Sequence, residues 1–135
     1  MTLVPFDPHA DLIFVNAKLW GPLGNELLLL ALDTASTETL IRPEILNGLG
    51  YNVLHAARRT RIVSALGAEP GYTIRVERFS SLGFARTDFL VHAHDLGDGA
   101  DIDGLLGLSF LRKLNYEVRS VEGVLRVELA TSPAA

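Results

Sequence analysis

Hydrophobic positions fall in short runs, and glycine or proline punctuates the chain every ten residues or so. Residues 12–19, Leu-Ile-Phe-Val-Asn-Ala-Lys-Leu, predict a strand, and Gly21-Pro-Leu-Gly24 predicts the turn after it. Leu27 to Leu32 is a continuous apolar run whose length and nearby turn predict a strand buried on both faces. Over 42–48, a proline near the start and a glycine near the end mark one or two helical turns. Beyond Thr60 the pattern becomes strand–turn–strand: residues 61–66 lead into Gly67-Ala-Glu-Pro-Gly71, and 72–79 lead back out. In the second arm Tyr72, Ile74 and Val76 alternate with Thr73, Arg75 and Glu77, the pattern of a half-exposed strand. Ser81-Leu-Gly83 then turns the chain into a strand over 84–93. Leu105-Leu-Gly-Leu-Ser109 reads as an apolar strand entering a short helix, with Ser109 as its N-cap. Strands over 116–121 and 124–129 are joined by Glu122-Gly123, a two-residue hairpin signal, with Leu125, Val127 and Leu129 on one side. Seven or more short strands against two brief helices predict a mainly-β domain.

Composition narrows the class. The chain has 135 residues, 12 basic and 16 acidic, for a net charge of −4, and it is 48% hydrophobic. That length fits a single domain over 1–135, burying roughly two-thirds of its unfolded surface, with a core over about 12–129. A mildly acidic balance argues against nucleic-acid or anionic-membrane partners, which select basic surfaces. With no cysteine, disulfides, thiolate metal sites and cysteine nucleophiles are excluded. The opening Met-Thr-Leu-Val-Pro-Phe-Asp-Pro-His has no basic or long apolar stretch, so no signal peptide is expected. The six-residue run at Leu27 is far too short for a membrane span. A cytoplasmic protein with no membrane partner is the expectation.

Two segments carry candidate chemistry. In Leu30-Ala-Leu-Asp33-Thr34-Ala35-Ser36 an aspartate stands at the carboxyl end of a strand that reads as buried. Taken alone, it reads as an Asx-turn closing the strand. Some seventy residues on, Asp103-Gly-Leu105-Leu106-Gly107-Leu-Ser-Phe-Leu111 repeats the plan of apolar strand, tight glycine turn and short helix. Two such units suggest pseudo-symmetric halves, with the hairpin between Arg61 and Phe79 free to project as a lid.

In this order the features resemble the retropepsin-like aspartic proteases. The match comprises the first hairpin, Asp33-Thr34-Ala35-Ser36 with Thr39-Leu40-Ile41 after it, the glycine-containing flap-like hairpin, the hydrophobic-hydrophobic-Gly element at 105–107 and the final hairpin. It covers roughly residues 12–129. One departure matters: the family signature is Asp-Thr/Ser-Gly, and Ala35 occupies the third position. The resemblance implies a closed retropepsin-like barrel with two short helices. It implies an aspartic endopeptidase needing no cofactor and no metal. Two carboxylates at hydrogen-bonding distance cannot both ionise, so one serves as base and the other as acid. A chain this short offers one Asp-Thr motif, which implies a homodimer with Asp33 from each copy on a two-fold axis. Thr34 would bond across that axis, the Ala35 amide and Ser36 would support the carboxylates, and Leu66, Gly67, Gly71 and Tyr72 would form the flap over a peptide or protein substrate. Ala35 keeps open a catalytically weak or inactive peptide-binding or dimerisation module, and an unrelated β-barrel with an accidental match is a third reading.

Other constellations read as structural. His92-Ala-His94 could ligate a metal, but no third ligand is placed by motif, and a solvent-facing strand edge is expected. Asp95, Asp98, Asp101 and Asp103 lack the spacing of a calcium loop and predict a polar surface loop. Arg58-Arg59-Thr-Arg61 predicts a solvated strand entry.

Overall fold

A computed structural model describes residues 1–52, 56, 58–64, 67–97 and 101–130; for 58–64 and 67–70 it describes the backbone alone. The first hairpin forms as the sequence predicts. Strand β1 (Thr2–Pro5) precedes β2 (Phe14–Gly21) and β3 (Gly24–Leu32), and β2 and β3 pair antiparallel with Gly21 opposite Gly24, so Pro22-Leu23 is the turn. Strand β4 (Leu40–Ile41) and helix α1 (Pro43–Gly48) follow, with Pro43 in the first turn, where its missing N–H costs nothing. Then come β5 (Arg58–Ser64), β6 (Gly67–Ser81), β7 (Phe84–Ala93), β8 (Gly104–Leu106), helix α2 (Leu108–Leu111), β9 (Leu114–Arg119) and β10 (Val124–Leu129).

Six of these strands close on themselves. The order β2-β3-β8-β4-β7-β6 returns to β2 through antiparallel pairing of Ala17–Trp20 with Arg78–Ser81. The domain is mainly β, a closed six-stranded barrel with two short helices. Strand β5 stands outside the ring, and among the described residues it pairs with 67–73 of β6. Its hairpin therefore extends past the barrel wall. Inside, Phe79 stacks on Phe89 at 5.2 Å, and Phe110 of α2 meets both rings edge-on at 5.3 and 5.9 Å. Burial of these rings anchors α2 against the barrel core.

A second sheet, β1-β10-β9, joins the two ends of the chain. Strand β1 is absent from the sequence-based elements because its partner residues lie 119–125 positions away, and four residues ending in proline carry little local signal. The Glu122-Gly123 turn is longer than expected. Arg119 pairs with Val124, so residues 120–123 form the connection, closed by Gly123 N–H donating to the Arg119 carbonyl at 2.9 Å and by an Arg119–Glu122 ion pair. Within β10, Leu125 and Val127 are buried, but Leu129 is exposed at the end of the strand.

The apolar run in β3 is also corrected. Leu28, Leu30 and Ala31 are buried, but Leu27 is 75% and Leu29 38% exposed. A barrel wall has one interior face, and among the described residues Leu27 and Leu29 are left exposed on the other side of β3. Along β6, Thr73 departs from the expected alternation and is buried with Ile74.

Where β2 and β6 diverge, a side chain continues their ladder. The Tyr51 hydroxyl donates to the Trp20 carbonyl at 2.7 Å and accepts the Glu77 N–H at 2.8 Å. Gly21 makes room: a Cβ there would stand 2.7 Å from the Tyr51 ring and 2.6 Å from the Leu49 carbonyl oxygen. Burial raises the Tyr51 pKa above its ordinary value. The folded protein thus holds this proton more tightly than the unfolded chain, so the associated stability is present below pH about 10 and is lost as pH rises further. Tyr51→Phe should cost about 1–2 kcal/mol at neutral pH, because it strands a part-buried carbonyl and N–H. Urea unfolding at pH 7 and pH 10.5 should show the loss shrinking at the higher pH.

Candidate functional site: the Asp33 loop

Asp33 directly follows the last residue of β3, Leu32. Its N–H donates to the Leu106 carbonyl of β8 at 2.9 Å, and its Oδ1 accepts the Ala35 N–H at 2.9 Å. Ser36 N–H closes the turn onto the Asp33 carbonyl at 3.2 Å. The Asx-turn is therefore real, and it also fixes one carboxylate oxygen. Asp33 is half-buried, and Thr34 and Ala35 are exposed. The Ser36 hydroxyl donates to the Glu38 carbonyl at 2.8 Å, so Ser36 closes the loop locally.

Ala35 is unstrained. Among the described residues the non-glycine positions with positive φ are Leu82 and Asp88. Alanine occupies the third position without the left-handed conformation that would favour glycine.

The loop is held from below by the second motif. Strand β8 lies between β3, to which it runs parallel, and β4, to which it runs antiparallel. The 33–39 loop must therefore wrap the end of β8. Leu108 N–H donates to the Ser36 carbonyl at 2.8 Å and Ser109 N–H to the Thr37 carbonyl at 2.9 Å. Gly107 caps α2 in extended conformation, and a Cβ on it would lie 2.1 Å from the Glu38 carbonyl oxygen. At Gly104 a Cβ would lie 1.9 Å from the Leu40 carbonyl oxygen. These glycines are required by close backbone approach, since neither has positive φ.

Ser109 is not the N-cap. It sits inside α2, and its hydroxyl instead accepts the Thr39 N–H at 3.1 Å and pairs with the Thr39 hydroxyl at 2.9 Å. Thr39 is fully buried and its Oγ1 accepts the Gly107 N–H at 3.3 Å. Neither hydroxyl was expected here. The available signal was a threonine poised before the apolar Leu40-Ile41, where an unpartnered hydroxyl would be costly.

The remaining candidates resolve as follows. Asp103 lies at the end of its loop, directly before β8, and is tied to β3: its Oδ2 accepts the Leu29 N–H at 2.8 Å while its own N–H donates to the Leu29 carbonyl at 2.8 Å, extending the β3–β8 contact. Asp95 accepts the Gly97 N–H and lies 3.7 Å from Arg42, whose Nε donates to the Ile102 carbonyl at 2.6 Å. Asp98 lies outside the described residues. His92 is not at a solvent-facing edge, because β7 is paired on both sides. Its imidazole is largely buried and stands 3.6 Å from the Glu38 carboxylate, beside the Asp33 loop. Among the described residues no three histidine, aspartate or glutamate side chains gather as a metal site, and no helix is long and apolar enough to cross a membrane.

Of the flap residues, Gly67 pairs with Ser64 and Gly71 with Thr60 on the projecting hairpin. Leu66 lies outside the described residues. Tyr72 sits at the hairpin's root, opposite Arg59 on one side and Ala93 on the other, half-buried against the core. The backbone of Arg58, Arg59 and Arg61 lies on β5.

Comparison with known proteins agrees with this fold. Residues 23–110 match a family described as aspartyl protease. A crystal structure of a retropepsin-like aspartic protease from Rickettsia conorii superposes with a TM-score of 0.66 at 19% identity, covering 93% of this chain and 96% of that one. No curated protein matches the chain.

The close approach of β8 to the loop predicts a graded glycine series. Gly107→Ala and Gly104→Ala each drive a methyl into backbone and should lower stability by about 3 kcal/mol or more. Gly48→Ala, where the space is open and φ is not positive, should be neutral or stabilising by about 0.5–1 kcal/mol. Urea midpoints for the three variants check the order.

Proposed function

The chain belongs to the aspartyl protease family and has its retropepsin-like fold, and from that premise we propose that it is an endopeptidase whose two catalytic carboxylates are Asp33 from each of two copies. The observation that supports this most is the Asp33 turn itself. A half-buried carboxylate at a strand end has one oxygen fixed by the Ala35 amide and the other left for chemistry. One such aspartate per chain is half of what the reaction needs, and a two-fold dimer supplies the other half.

The proposed mechanism needs two carboxyl groups sharing one proton. The ionised member takes a proton from a bound water, whose oxygen attacks the scissile carbonyl carbon. The protonated member donates to the carbonyl oxygen as it becomes tetrahedral. Collapse breaks the C–N bond with a proton delivered to the departing amine, and the shared proton is restored. No cofactor enters these steps. Thr34, exposed in the protomer, is the residue proposed to bond across the axis, and the β5–β6 hairpin is proposed to close over an extended peptide and exclude water.

Asp33→Asn keeps the oxygen that accepts the Ala35 N–H but removes the acid. It should lower cleavage of extended peptides by about a thousandfold or more while leaving the melting temperature nearly unchanged. Statine-type inhibitors should block the wild type. Unchanged proteolysis in the Asn variant would refute the proposal.

Ala35 supports a second arm. Its methyl is unstrained in the protomer, so any cost arises where two methyls meet at the axis. Ala35→Gly should raise turnover by about tenfold without changing dimerisation. A protein inactive both before and after the change, yet binding peptides, would instead be a peptide-binding or dimerisation module.

A further inference from the structure

We infer that the buried Thr39–Ser109 hydroxyl pair is a positioning device for the Asp33 carboxylate, an inference that rests on the peptidase reading above. The argument begins with where the ends of the loop are tied. Its first residue, Asp33, donates its N–H to the carbonyl of Leu106. Its last, Thr39, accepts through Oγ1 the N–H of Gly107, the next residue along. A seven-residue loop therefore has both ends pinned to adjacent residues of one strand end. The Thr39 hydroxyl sets the second pin.

Ser109 completes it. Its Oγ accepts the Thr39 N–H and shares a hydrogen bond with Thr39 Oγ1, either oxygen being able to donate. The two hydroxyls thus partner one another and two backbone N–H groups around a threonine that is fully buried. Phe110, next in sequence, is locked into the aromatic cluster, so Ser109 cannot drift with the loop. Rigid anchoring on one side and a reactive group on the other is the arrangement that preorganises a site.

This pinning is separable from the glycine packing. Thr39→Val keeps side-chain shape and removes only the hydroxyl, leaving the Gly107 N–H without its partner. Nothing in the barrel wall is altered. The expected consequence is a small displacement of the Asp33 loop, which a catalytic pair tolerates poorly and peptide binding tolerates well.

The test compares wild type, Thr39→Val, Thr39→Ser and Ser109→Ala, with rates expressed per folded enzyme well below each melting temperature. Thr39→Val and Ser109→Ala should lower kcat by about tenfold or more, with KM changed by less than about twofold. Thr39→Ser, which retains the hydroxyl, should restore most of kcat. Equal kcat in all four, with only the melting temperature lowered, would overturn the inference and leave the pair a purely structural feature. If Thr39→Val does not fold, Ser109→Ala decides by the same criteria. Should the wild type cleave no peptide, the peptidase reading fails, and amide hydrogen exchange decides the positioning separately. Exchange at Ala35 and Ser36 should be about tenfold faster in the hydroxyl-less variants, with β2 and β3 amides unchanged. Equal exchange at Ala35 and Ser36 would overturn it.

Discussion

Backbone-to-backbone contact along β8 is the constraint on which the rest of the structure depends. At Gly104 and Gly107 the chain passes so close to Leu40 and Glu38 that no side chain fits. That proximity lets β8 slip between β3 and β4, two strands consecutive in sequence, and so completes the barrel. It also forces the 33–39 loop to arch over the end of β8, where the Leu106 carbonyl and the N–H groups of Gly107, Leu108 and Ser109 hold it. Barrel closure and the pose of Asp33 are consequences of one contact. The fold therefore carries Asp33 on a segment whose backbone path is set by the strands that close the barrel.

Much of this was legible in the chain because the signals were local. Pro22-Leu23 between paired glycines, the proline at the start of α1 and the aspartate ending an apolar strand each report on their own few residues. What escaped was non-local. Strand β1 exists only through β10. The Tyr51 hydroxyl stands in for a ladder bond between strands that have already diverged. Ser109 has the chemistry of an N-cap, yet Gly107 ends the extended segment and the serine hydroxyl is recruited across seventy residues by Thr39. Likewise Asp103 reads as one of several loop acids until its carboxylate is seen on the Leu29 amide. Polar side chains serving distant backbone groups leave no periodic trace.

Leu27 and Leu29 show the converse error. Six apolar residues in succession imply burial on two faces, and the barrel covers one. Ala35 was uncertain for a different reason: residue identity states the presence of a methyl but not the φ it must occupy. Its ordinary backbone makes the departure from the family signature compatible with the fold, and it moves the question of its effect from the single chain to the proposed contact between two copies.

The central claim is that one chain supplies half of a two-carboxylate site. A crystal structure of the assembled protein measures this directly, through the distance between the Asp33 carboxylates of two-fold-related copies. The account predicts oxygens within hydrogen-bonding distance, about 3 Å, with a water between or beside them. Carboxylates farther apart than two side chains can reach, or a strict monomer at high micromolar concentration, would contradict it.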